Sequence, residues 1–146
     1  MDEYKKYEKN CKKIRDTNDR LLTEFEIWLV SFRLAPKTIF QHIANIDLFI
    51  NHYLLHEDAV EAIGGVQKVS MYLGYWFISK AMWASASNIR SNAASIKKFY
   101  AFMLAKGLVD QRALDLLAKT IKEEMPTWLA HMERYDQETL DMENDN

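Results

Sequence analysis

The histidines and neighbouring carboxylates are the side chains of this sequence with the most obvious capacity for metal chemistry. His52 and His56 lie one helical turn apart, and Glu57 and Asp58 follow directly. Two histidines at this spacing can bind zinc, but the His-Glu-x-x-His order is absent and no third ligand follows at a suitable distance. Cys11 is the single cysteine, which excludes an internal disulfide and a cysteine-based zinc site. The sequence therefore predicts no metal site.

Phosphate-binding and nucleophilic signatures are equally weak. Gly64-Gly65 is not followed by the Lys-Ser/Thr pair of a phosphate-binding loop. A Ser-His-Asp arrangement is recognised by geometry and not by sequence order, so no such triad is assigned. We expect no cofactor and no small-molecule substrate.

Charge is distributed unevenly along the chain. Residues 27–46 and 67–106 contain no carboxylate, and the second stretch carries six Lys and Arg residues. Residues 107–146 carry ten acids and four bases, so the net charge of −2 conceals two opposite regions. A localised basic surface favours a polyanionic partner, whereas a fold that mixes the stretches would give an ordinary surface. The sequence leaves both open at this point.

The elements that position these residues are predicted to be helices. The chain has 146 residues with 49% apolar and 27% charged residues, but only four Gly and two Pro, too few for the turns of a β-sandwich. Apolar residues recur at helical spacing from Leu21 to Phe32 and from Ile39 to Tyr53. Val66 to about Met82 is the most apolar element, which predicts a central position. The fold class is therefore all-α.

Several residues mark where these helices begin and end. Thr17 or Asn18 can cap the first helix. The mixed-charge segment from residue 3 to 16 either extends this helix backwards or forms a separate short helix. Pro36 is expected to start the second helix, and Ser85, Ser87 or Asn88 to cap the fourth. Gly107 is expected to end the fourth helix, Asp110 to cap the next one, and Pro126 or Thr127 to start the last. We expect Trp83, in the link before the fourth helix, to be exposed, and residues 137–146 to form an acidic, disordered tail.

Two spans resemble a known family. The first contains Leu34-Ala35-Pro36-Lys37-Thr38-Ile39, and the second contains Ile96-Lys97-Lys98-Phe99-Tyr100 followed by Gly107-Leu108-Val109. They resemble the N-terminal core-binding (SAM-like) domain of the tyrosine recombinase or phage integrase family. The resemblance implies an orthogonal four-helix domain over residues 20–109, with an N-terminal helical extension over 1–19 and C-terminal helices over 110–136. Ala35 replaces the usual Ser cap, which weakens the helix start by about 1 kcal/mol.

In that family catalysis belongs to a separate C-terminal domain. Only 39 residues follow Gly107 in this chain, so we expect the catalytic domain to be absent and the protein not to be an enzyme. The segment His131-Met132-Glu133-Arg134 fits a His-x-x-Arg pattern of the catalytic domain. Tyr135 follows directly, however, whereas the family's nucleophilic Tyr lies well downstream on its own helix. We interpret this segment as the solvated face of the last helix.

The resemblance also implies duplex DNA as a partner, because the second and fourth helices of this domain approach the major groove. These two helices fall in the carboxylate-free stretches. The candidate DNA-binding residues are Lys37, Thr38, Gln41, His42 and Asn45 on the second helix, all but Thr38 expected to be exposed, and Ser87, Asn88, Arg90, Ser91, Lys97 and Lys98 on the fourth. Simpler roles stay open, such as helix caps for Ser87 and Asn88, a surface position for His42 and a solvated face for Lys97 and Lys98.

The sequence thus favours non-catalytic duplex DNA binding, linked to DNA integration or recombination. One alternative is a recombinase fragment whose catalytic half is encoded elsewhere. The other is a helical module that regulates a full-length recombinase or another protein partner. Its anchor would be Trp128, Leu129 and Met132, exposed on the last helix. The lone cysteine suits a reducing cytoplasm, and neither a signal peptide nor a membrane span is recognisable.

Overall fold

The computed structural model describes residues 2–81 and 84–144, and these residues form helices and connecting turns with no strand. Two helices contain π-helical turns, in which the backbone bonds span five residues. Helix α1 spans Glu3–Ser31, and α2 spans Pro36–Asp47 and continues as the π-helical segment Leu48–Tyr53, which is followed by a 3₁₀ turn at Ala62–Gly64. Helix α3, residues 66–80, consists of Val66–Lys68 (3₁₀), Val69–Met71 (α), Tyr72–Trp76 (π) and Phe77–Lys80 (α). Helix α4 spans Ala86–Ala105, and α5 spans Gln111–Asn144. The predicted all-α class is confirmed.

Helix α1 is continuous from its capped start to its last turn. Asp2 is the N-cap, and its carboxylate accepts from the backbone N–H of Lys5 at 2.8 Å. Asn18 lies buried in the middle of the helix and donates to the side-chain oxygen of Asn51 at 2.8 Å. The expectation that Thr17 or Asn18 caps the helix is therefore wrong, because Asn18 instead ties α1 to the π-helical end of α2. The mixed-charge segment extends α1 backwards.

The core lies between α1, α2, α3 and α4. Phe25 of α1 packs edge-on against Phe99 of α4, with ring centroids 5.3 Å apart. Tyr72 of α3 packs against Phe49 of the α2 continuation at 4.9 Å. Seven residues of α3 are buried, which confirms the predicted central position of this segment; they are Val66, Val69, Tyr72, Leu73, Gly74, Phe77 and Ile78.

The predicted start and stop signals act where the sequence places them. Pro36 opens α2, and Ser85 caps α4 by accepting from the N–H of Asn88 at 3.1 Å. Gly107 adopts a φ of 75°, and the N–H of Leu108 donates to the carbonyl of Met103. This bond closes the last turn of α4 in the way that a left-handed glycine permits. Pro36 therefore marks the start of α2, and Ser85 and Gly107 mark the two ends of α4.

Helix α5 differs from the prediction in two respects. Pro126 lies inside it instead of starting a new helix, and residues 137–144 continue the helix instead of forming a disordered tail. Proline costs the helix one hydrogen bond, but Ile121 before it and Trp128 after it are both buried, so packing holds the two sides in line. The expectations for Trp83 and for residues 145–146 lie outside the described residues.

Candidate nucleic-acid interface

A buried network of polar side chains joins α2 to α4. His42 Nδ1 lies 2.7 Å from the hydroxyl of Ser95. The amide nitrogen of Asn45 donates to Ser95 at 2.9 Å and to Ser91 at 3.2 Å, and its oxygen accepts from Gln41 at 2.9 Å. Polar groups that satisfy one another in this way set the position of one helix against the other, because hydrogen bonds depend on direction as well as distance.

The network corrects the prediction for His42 and Asn45, which the sequence places on an exposed face. Their exposed fractions are only 8% and 7%. Ser91 and Ser95 of α4 are small, so the two helices approach closely and cover the side chains at positions 42 and 45. These two residues position the interface and are not free to read bases, whereas Gln41 remains exposed.

The environment of His42 favours its neutral form. Burial lowers the pKa of its imidazole, and the nearby Lys98 ammonium lowers it further. A neutral imidazole has one donor and one acceptor nitrogen, which matches a hydroxyl partner such as Ser95. The hydrogen-bond network therefore contains a neutral His42 and buries no positive charge.

The surface above this network is basic. Lys37 on α2 and Arg90, Lys97 and Lys98 on α4 are all exposed. Within residues 2–81 and 84–144 the ion pairs join Lys106 to Glu24 and Asp47 to His52, so none of these four cations is neutralised by a carboxylate of the described chain. Arg90, Lys97 and Lys98 share one face of α4, because seven or eight residues make two helical turns.

The remaining candidates have mixed roles. Thr38 and Ser87 are exposed in the first turns of their helices, and Ser91 is half-buried. Asn88 accepts from the hydroxyl of the capping Ser85 at 2.6 Å, so part of its hydrogen-bonding capacity serves the cap. The α2 N-terminus has no side-chain cap, as the alanine at position 35 predicts. The first N–H donors of α2 therefore remain free beside Lys37 and Thr38.

Sequence reasoning missed Phe40. Its side chain is 74% exposed on α2, next to Lys37 and Gln41. Its position immediately after the buried Ile39 was the signal that could have found it, because adjacent helical residues point about 100° apart. An exposed aromatic ring beside Lys37 adds an apolar group to the exposed side of α2.

The other chemical motifs do not assemble into sites. His52 is exposed 3.9 Å from Asp47, and no three His, Cys, Asp or Glu side chains converge as metal ligands in the described residues. His131 contacts the carbonyl of Gly74 at 3.2 Å through Nδ1 and packs its ring on Tyr75. The His-x-x-Arg segment thus contributes to packing between α5 and α3, and His131 is half-buried and not on a solvated face.

The proposed protein-binding anchor on the last helix is largely buried. Trp128 and Met132 are 1% and 4% exposed, and Leu129 is half-buried. A Cβ on Gly74 would lie 2.6 Å from Trp128, so the indole occupies the space above this glycine. The expectation of an exposed Trp128 and Met132 is wrong, because the absence of a side chain at position 74 creates a seat for the ring.

Comparison with known proteins found no match for this chain among protein-family models, curated proteins or solved structures. The helices of the described residues also include none with the length and apolar character that crossing a membrane requires.

Proposed function

We propose that this protein binds duplex DNA without catalysing a reaction on it, through the joined faces of α2 and α4. One observation carries the proposal: four exposed cations, none paired with a carboxylate of the described chain, lie on two helices that a buried polar network holds together. A firm backbone support suits a rigid polyanion, because binding has to order only the exposed Lys and Arg side chains and not the helices that carry them.

The components of the face have separate roles. Lys37, Arg90, Lys97 and Lys98 contact phosphates, and the small side chains of α4 let its backbone come near the DNA. Gln41 and Phe40 reach base edges, since an amide pairs with adenine and an apolar ring contacts the thymine methyl group. The resemblance to the core-binding domain of tyrosine recombinases adds that the process is DNA integration or recombination in the cytoplasm.

The chain's own acidic end limits the affinity. Residues 133–144 carry five carboxylates and one arginine, and the protein has a net charge of −2. Four or five phosphate contacts would give a salt slope of about −4. We therefore expect binding that is clear at low ionic strength and weak at physiological ionic strength.

The test is fluorescence anisotropy of a labelled duplex of about 30 base pairs at about 50 mM salt. The triple variant Arg90→Ala/Lys97→Ala/Lys98→Ala should bind about 30-fold more weakly, at roughly 0.7 kcal/mol per contact. The matched control is Lys5→Ala/Lys9→Ala/Lys12→Ala, which removes the same charge from exposed positions on the first half of α1. Equal losses in both variants, or no binding by folded wild-type protein, would contradict the proposal.

A further inference from the structure

A concave site lies between the two π-helical segments and is lined by residues that do not belong to the basic face. Leu48–Tyr53 and Tyr72–Trp76 are both π-helical, and each ends at an aromatic residue that lines the same cleft. The cleft has a volume of about 320 Å³. Single π-helical turns occur preferentially at functional sites, because the extra residue displaces side chains from ordinary helical positions. Two of them on one cleft are unusual in a chain of this length.

Aromatic rings form one side of this cleft. The rings of Tyr53 and Trp76 have centroids 5.4 Å apart and planes inclined by 60°. The ring of His56 lies 6.2 Å from Trp76, also at 60°. Tyr53 and Trp76 are half-buried and His56 is exposed, so part of each ring remains open to a ligand. Inclined aromatic faces of this kind attract cations through the negative potential above each ring.

Carboxylates form the rim. Glu57 and Asp58 line the cleft and are exposed, and neither is ion-paired within the described residues. Burial raises the pKa of Tyr53, and the Glu57 carboxylate raises it further, which places this negative charge next to the aromatic wall. Lys68 also lines the cleft, but it lies beyond ion-pair distance of both acids. The aromatic rings and the carboxylates therefore both contribute negative potential to the same cleft.

The first half of α1 holds this rim in place. Tyr7 donates to the carbonyl of Leu55 and, at 3.3 Å, to that of His56. Cys11, Ile14 and Leu55 form a small buried cluster of their own. The N-terminal extension thus holds Leu55 and His56, the two residues that precede the carboxylates of the rim. The support reaches the backbone directly before Glu57 and Asp58.

We propose that this cleft binds an organic cation with an alkylated ammonium head group, held against Tyr53 and Trp76 and paired with Glu57 and Asp58. The volume is at the lower end of the range of about 300–1,000 Å³ for ligand pockets, which suits a small head group. A free small molecule and a methylated lysine side chain share this chemistry. The inference is independent of DNA binding.

The test is a titration of the full chain with choline, followed by ¹H–¹⁵N NMR at the indole N–H of Trp76. This N–H has no hydrogen-bond partner in the described chain, so its resonance is a sensitive reporter. The neutral carbon isostere 3,3-dimethylbutan-1-ol has the same shape without the charge. We expect choline to bind at least about fivefold more tightly than the isostere. Equal affinities, or no shift by either compound up to about 20 mM, would overturn the proposal.

Substitutions of the exposed charged residues should change the choline affinity in opposite directions and leave the fold intact. Glu57→Gln/Asp58→Asn should weaken choline binding at least about threefold, and Lys68→Gln should strengthen it, because a repelling charge is removed. Glu61→Gln is the matched control, since it lies nearby in the chain but does not line the cleft. Tighter choline binding by the Glu57→Gln/Asp58→Asn variant and weaker binding by Lys68→Gln would indicate an anionic ligand and overturn the proposal.

A peptide containing trimethyllysine, compared with the same peptide unmethylated, distinguishes the two sources of the ligand. Methyl-dependent binding that is tighter than choline binding assigns the cleft to a protein side chain. Binding no tighter than that of choline assigns it to a free small molecule. Both results support recognition of an alkylated ammonium group.

Discussion

The α2–α4 and α3–α5 junctions hold helices together by different means. At the first, His42 and Asn45 bond to serines across the interface, and every distance lies between 2.7 and 3.2 Å. At the second, Trp128 fills the space that Gly74 leaves open, while Ser70 donates to Glu124 at 2.5 Å and His131 contacts the carbonyl of Gly74 at 3.2 Å. Hydrogen bonds fix the rotation of one helix relative to the other, whereas an indole on a glycine fixes mainly the separation. The polar junction therefore suits a surface whose charges must keep a set geometry.

Trp128→Ala probes the α3–α5 junction and should have the largest effect. It empties a site of indole size, and large-to-small changes of this kind cost about 3–5 kcal/mol of unfolding free energy. Urea unfolding followed by circular dichroism measures the loss. Leu116→Ala, at an exposed position of the same helix, is the control and should change stability by less than about 0.5 kcal/mol. A loss below about 1 kcal/mol for Trp128→Ala would contradict the packing described here.

Asn45→Ala probes the polar junction. Removing this amide leaves Gln41 and the two serines without their shared partner, at a cost of about 1–3 kcal/mol. Because the network also orients Lys37 relative to α4, DNA affinity should fall as well. Thr38→Ala, an exposed substitution on the same helix, is the control for stability. An unchanged unfolding free energy for Asn45→Ala would mean that the network does not hold the helices.

His42 makes the polar junction sensitive to acid. Burial and Lys98 lower its pKa in the folded state below the unfolded value near 6.5, so the unfolded chain binds more protons as the pH falls. This contribution to stability is complete above about pH 6.5 and declines below it. Urea unfolding at about pH 7.5 and pH 5.5 should show a smaller acid loss for His42→Gln than for wild type. Equal losses would exclude His42 as the titrating group.

Phe40→Ala gives the smallest expected effect and acts on function alone. The ring is exposed, so unfolding free energy should change by less than about 0.5 kcal/mol. DNA affinity in the anisotropy assay should fall by about threefold through loss of an apolar contact. Tyr4→Ala, which removes another exposed ring in the first turn of α1, is the control. A large stability loss for Phe40→Ala would show that the ring serves packing instead.

Local signals were readable from the sequence, and contacts between distant helices were not. Pro36, Ser85, Gly107 and Asp110 act within a few residues of themselves, and the structure places each at the expected helix end. Pro126 was misjudged because its effect depends on packing that lies on both sides of it. A proline breaks a helix only where tertiary contacts do not hold the two halves.

The candidate site shows the same limit. Lys97 and Lys98 are exposed as their helical positions predict, but a wheel drawn for α2 alone cannot show that Ser91 and Ser95 cover His42 and Asn45. The aromatic cleft was not predictable either, because its walls come from segments about 20 residues apart and depend on π-helical turns. The spacing of apolar residues in the sequence does not reveal where π-helical turns occur.

The dependence of DNA affinity on salt tests the central claim most directly. Anisotropy titrations of wild type and the Arg90→Ala/Lys97→Ala/Lys98→Ala variant over about 30–200 mM salt give the two slopes. The account predicts about −4 for wild type and a slope shallower by about 3 for the variant, one unit for each lost phosphate contact. Equal slopes for the two proteins would contradict the assignment of the α2–α4 face to DNA.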